Sequence, residues 1–158
     1  MPESDLEAER EAHKRFAVAC FNLAWQLIDN KNRTKEESDR MIHAAHASRF
    51  HWGEIGKPEN MERGDWQISR VYALLRRSEP SLYHAMRCLE ICEENNIGDW
   101  DIAFAYEAMA RANSVAGNEV ECERYAGLAR DAGEHIREKE DKDLFFSELK
   151  TLSCQRQS

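Results

Sequence analysis

Apolar residues recur at three- and four-residue steps along almost the whole chain. Phe16, Ala19, Cys20, Leu23 and Leu27 form one such stripe; Ile68, Val71, Tyr72 and Leu75 form a second; Leu82, Ala85, Leu89 and Cys92 form a third. Steps of this kind gather side chains on one face of an α-helix, and no stretch alternates with period two for long enough to build a strand. Polar and helix-breaking residues separate the stripes. Asp29-Asn30-Lys31-Asn32 closes the first helix, and Thr34, with Glu37 three residues later, is a capping box that opens the second. Gly53, Gly56 and Pro58 interrupt the chain again. Ser78-Glu79-Pro80 reads as a turn into a helix, with Ser78 as N-cap and the proline placed early, where a missing N–H costs little. Asn95-Asn96-Ile97-Gly98-Asp99 and Gly117-Asn118 are the next connections. The pattern predicts seven helices, over 5–29, 35–51, 59–76, 79–94, 99–115, 118–137 and 141–153.

These helices come in pairs with a period of 41 residues. Ile42-His43-Ala44, Tyr83-His84-Ala85 and Arg124-Tyr125-Ala126 fall in register, each followed three positions later by a small residue, Ala47, Cys88 or Ala129. Trp25 and Trp66 are also 41 apart. Small side chains repeated on one face let two helices approach closely, and a repeated hairpin stacks on its neighbour to build a continuous core. The expected fold is all-α: one domain over 1–158, with antiparallel hairpins at 5–52, 58–95 and 99–138 in a right-handed superhelical stack. A C-terminal helix over 141–153, with Leu144, Phe145, Leu149 and Leu152 on its apolar stripe, is expected to cap the open end.

The segment Arg76-Arg77-Ser78-Glu79-Pro80-Ser81-Leu82-Tyr83-His84-Ala85-Met86-Arg87-Cys88-Leu89-Glu90-Ile91 resembles the second helix of a tetratricopeptide repeat with the turn before it. Gly117 to Ala129 resembles the same segment more closely, including the turn glycine, and Ile68, Ser69 and Tyr72 sit where that family has Leu, Gly and Tyr. The pattern departs from the family in its long period, in lacking the late proline, and in having Arg76 where the middle repeat should carry glycine. It is similar to a divergent, long-helix tetratricopeptide-like protein of the small bacterial type. That resemblance implies a helical-repeat fold and a binding surface, and it implies no reaction.

With 22 Lys+Arg against 30 Asp+Glu the net charge is −8, which argues against nucleic acid and anionic membranes as partners. The acidic N-terminus carries no apolar signal segment, and the longest apolar run, Phe16 to Phe21, is far too short to span a bilayer. Five scattered cysteines without a CxxC suit reduced thiols, so the expected location is cytoplasmic. Cys88 and Cys92 share a helical face by their i, i+4 spacing, and core packing is the plainer reading of that pair.

Candidate chemistry is sparse, and no phosphate loop, dinucleotide fingerprint or hydrolase motif is present. His43 and His46 lie on one side of a helix and His84 repeats the His43 position one period later, which makes these three the candidates for a metal-dependent or histidine-assisted enzyme. His51 points elsewhere, and no nucleophile is paired with any of them. The preferred expectation is non-catalytic, without a cofactor: an adaptor or scaffold for proteins or peptides. In tetratricopeptide-like stacks the first helix of each pair lines a concave groove. The resemblance therefore places Asn22, Trp25 and Asp29, then Arg63, Trp66 and Arg70, then Phe104, Glu107 and Arg111 along that groove. Aromatic rings beside guanidinium groups form a recognition surface, and Arg63, Arg70 and Arg111 would favour an acidic group on the partner. Self-association is also expected, through apolar residues of the first helix such as Phe16 and Phe21, for which a symmetric homodimer is the commonest arrangement.

Overall fold

The computed structural model describes residues 2–155. The described residues form seven α-helices and no strand: α1 (Glu3–Asp29), α2 (Lys35–Ile55), α3 (Pro58–Leu74), α4 (Ser78–Glu94), α5 (Asp99–Val115), α6 (Glu119–Gly133) and α7 (Lys139–Leu149), followed by a 3-10 turn at Ser153–Gln155. The most extensive packing joins α1 to α2, α3 to α4 and α5 to α6, which are the three hairpins. Helix α3 also touches both α1 and α5 directly, and α7 rests on α5 and α6. None of the described helices is long and apolar enough to cross a membrane.

The repeat period is built into the core. Ala44, Ala85 and Ala126 are all buried, as are Cys88 and Ala129, so each second helix lies close against its partner. One apolar cluster joins α1, α2 and α3 around Leu27, Met41 and Val71; a second fills the space between α4 and α5; a third joins α5, α6 and α7 around Phe145.

Several helix ends differ from the sequence pattern for local reasons. Helix α2 runs through Gly53 and stops only at Gly56, because one glycine in a helix costs about 1 kcal/mol whereas the approach to Pro58 excludes helical geometry. Ser78 is the first residue of α4 and not its cap; Arg77 takes the cap position in extended backbone. Helix α6 ends at Gly133, short of the expected 137, where the ring of Phe145 lies so close that a Cβ would stand 2.4 Å from its Cε1 atom. Glycine there lets α7 fold back. On α7 itself Phe145 and Leu149 are buried, with Leu152 just beyond the helix, whereas Leu144 is 57% exposed and faces outward from that stripe.

The expectation of five reduced thiols is corrected. Cys122 of α6 and Cys154 of the terminal turn form a disulfide across 32 residues, while Cys20, Cys88 and Cys92 are free. Sequence spacing does not reveal that the chain end returns to α6. A cross-link of that span stabilises a fold by about 3–4 kcal/mol on chain-entropy grounds.

Candidate functional site

The side-by-side arrangement of α1, α3 and α5 brings a row of aromatic rings together. Trp25 and Trp66 lie with ring centroids 5.5 Å apart, and Trp66 meets the edge of Phe104 at 5.7 Å. Trp100, in the first turn of α5, adds to Phe104 at 5.9 Å, and Phe104 leads on to Phe145 of α7 at 5.1 Å. Such tilted and edge-to-face contacts suit ring quadrupoles and hold the rings in place. Three of these rings, Trp25, Trp66 and Trp100, together with Phe104, Phe21, Ile28, Leu74 and Leu144, wall a cavity of about 470 Å³, a volume typical of ligand sites. Asp29, Lys31, Glu62, Arg63, Arg70, Asp101 and Glu148 supply its polar rim and floor.

Of the nine groove positions expected from the sequence, Trp25, Asp29, Arg63, Trp66, Arg70 and Phe104 line this cavity. Asn22 is exposed outside it, and Glu107 and Arg111 do not line it. Each of the three arginines named for the groove is paired with a carboxylate. Arg63 forks onto Asp101 through two bonds of 2.9 Å and stacks 4.8 Å from the centre of Trp100. Arg70 donates to Glu148 of α7 at 2.9 Å and lies over Trp66. Arg111 donates to the fully buried Glu107 at 2.7 Å and to the Thr151 hydroxyl at 2.7 Å. Next to apolar walls a guanidinium is costly unless a carboxylate accompanies it, and the fold supplies one for each.

Glu62 is the least expected member of the site. It is only 1% exposed, and its Oε2 accepts a 3.2 Å hydrogen bond from the Cys88 thiol. Burial, together with its hydrogen bond to the Asp101 carboxylate, pushes the Glu62 carboxyl up to about 11, so it is neutral near pH 7. Burial works against charge on Asp101 too, but the bonds from Arg63 and Glu62 outweigh it and hold that carboxyl below its ordinary value. The cavity floor is therefore a neutral acid, a carboxylate and a guanidinium in one chain of hydrogen bonds.

The histidines assemble only in part. His46 and His84 are adjacent, with ring centroids 5.5 Å apart, but each is already engaged. His46 Nε2 is 2.8 Å from the Tyr72 hydroxyl, and His84 Nδ1 is 2.8 Å from Asp65, which also accepts from Arg49 at 3.0 Å. His43 is exposed beside Glu36, Glu37, Asp39 and Arg40 and does not join them. Neither His46 nor His84 lines the aromatic cavity.

Trp100, Glu62, Asp101 and Glu148 escaped the sequence reading. Glu62 left a trace: one period before and after it stand Phe21 and Ala103, so an acid occupies a register position that is apolar in the neighbouring repeats. Comparison with protein-family models, with curated proteins and with solved structures finds no match.

Proposed function

We propose that this protein is a non-catalytic adaptor of tetratricopeptide-like type that binds a peptide or protein segment in the groove of α1, α3 and α5. The observation that carries the reading is the cavity between Trp25, Trp66, Trp100 and Phe104, which offers an apolar side chain an aromatic pocket with charged groups at its edge. The partner's acidic group belongs at Arg70, where the Glu148 carboxylate now sits. A cytoplasmic location is part of the same proposal; the free thiols of Cys20, Cys88 and Cys92 support it and the Cys122–Cys154 disulfide weighs against it.

Three of the four tryptophans line the cavity, so intrinsic fluorescence reports its occupancy directly. Peptides selected from a displayed library against the full chain should change that fluorescence on binding. Trp66→Ala should weaken them by about 2 kcal/mol or more, roughly 30-fold, because central buried aromatics dominate interface energetics. Selected peptides that bind wild type and Trp66→Ala equally would move the binding surface elsewhere.

A further inference from the structure

Cys88 and Cys92, one turn apart on α4, face Glu62 of α3, and the three side chains are buried together. Their donor atoms all lie within 4.8 Å of one another, the one such group of ligating side chains among the described residues. Tetrahedral zinc with two sulfurs and one oxygen needs donor separations of about 3.5–3.8 Å, so small rotamer changes bring the three into range. We propose that Cys88, Cys92 and Glu62 bind a thiophilic divalent cation, with zinc the best match.

The donor set selects the ion. Two thiolates and a carboxylate fit zinc and exclude magnesium and calcium, which require oxygen cages. Both cysteines sit on one rigid helix and the carboxylate on its hairpin partner, so the site is set by the best-packed contacts of the repeat. Glu62 also lines the aromatic cavity, so the donor cluster lies directly behind the wall through which an ion would enter. Arg63, 3.7 Å from Glu62 Oε1, places positive charge beside a ligand set that is negative overall once its protons have been displaced to solvent. The proposal does not rest on peptide binding in the groove, although Glu62 is common to both sites.

Cobalt titration of the full chain, purified without a histidine tag and kept anaerobic, tests this. One equivalent of cobalt should bind with a thiolate-to-metal charge-transfer absorption, and zinc should displace it. Cys88→Ala should abolish that absorption, Glu62→Gln should weaken binding by about tenfold or more, and Cys122→Ala should leave it in place. Should Cys88→Ala lose its helical circular dichroism, X-ray absorption of the zinc-loaded wild type decides instead, and two sulfur ligands at about 2.3 Å are expected. Absence of saturable binding overturns the site. So does a first shell without sulfur, or a charge-transfer band that persists in folded Cys88→Ala.

Discussion

His46 is half-buried between α3 and α4, with Tyr72, Asp65 and Arg49 around it, His84 in edge-on contact and His43 nearby on its own helix. Burial lowers its pKa from the ordinary 6.5, the His84 ring lowers it further, and Asp65 only partly opposes them. The folded protein thus holds His46 neutral where the unfolded chain would protonate it. Its contribution is fully present above the unfolded pKa of 6.5 and is lost as the pH falls through that value toward the lower folded one. Urea unfolding at pH 7.5 and 5.5 should show wild type losing more stability on acidification than His46→Gln, which keeps a partner for Tyr72; equal losses would remove His46 as the cause. At this scale the sequence was readable where a residue obeyed the register. Trp25 and Trp66 stand at equivalent positions and meet in space, whereas Trp100 occupies a register position that holds Glu59 and Val18 in the other repeats, and Glu148 lies beyond the last hairpin.

The helix ends carry the same period as the helix faces. Gly117 takes a φ of 80° to close α5, and Arg76, one period earlier, closes α3 at 61°. Both turns are sealed by a 2.9 Å bond reaching back five residues, from Arg77 N to Tyr72 O and from Asn118 N to Asn113 O. Asn96 does the same for α4 at 54°. The backbone therefore keeps the turn even where the glycine is missing, and an L-residue held there costs about 1–2 kcal/mol. Since glycine loses some of that advantage through the unfolded chain, Arg76→Gly should stabilise the fold by about 0.5–1 kcal/mol. A urea midpoint that falls would mean that contacts of the Arg76 side chain outweigh the backbone relief. Element type and pairing were legible because they follow from periodicity and capping, as the Thr34–Glu37 box shows with both of its bonds formed. Ends such as Gly133 were not, because what stops α6 is a ring from α7 that sequence alone does not place beside it.

Taken whole, the molecule is a stack of three hairpins whose far end is closed twice, by α7 packed on α5 and α6 and by the Cys122–Cys154 cross-link. The stack and its cap by α7 were legible, from register and from the apolar stripe of the last helix, whereas the Cys122–Cys154 cross-link was not, because it depends on a contact that occurs once. The closure also reaches the cavity: the carboxylate of Glu148 occupies Arg70 from within the same chain. In the proposed peptide-binding role Glu148 is a tethered competitor, present at an effective concentration on the order of millimolar, which an acidic partner would have to displace. Linkage makes the effect reciprocal, so a ligand that takes Arg70 loosens α7, and loosening α7 improves the ligand's affinity. Glu148→Ala should lower the melting temperature while tightening acidic peptides selected on the groove by roughly fivefold, the equivalent of about 1 kcal/mol. Unchanged affinity would mean that those peptides never reach Arg70. The C-terminal helix would then set stability alone, whereas in the linked case the same helix sets the threshold above which a partner is admitted.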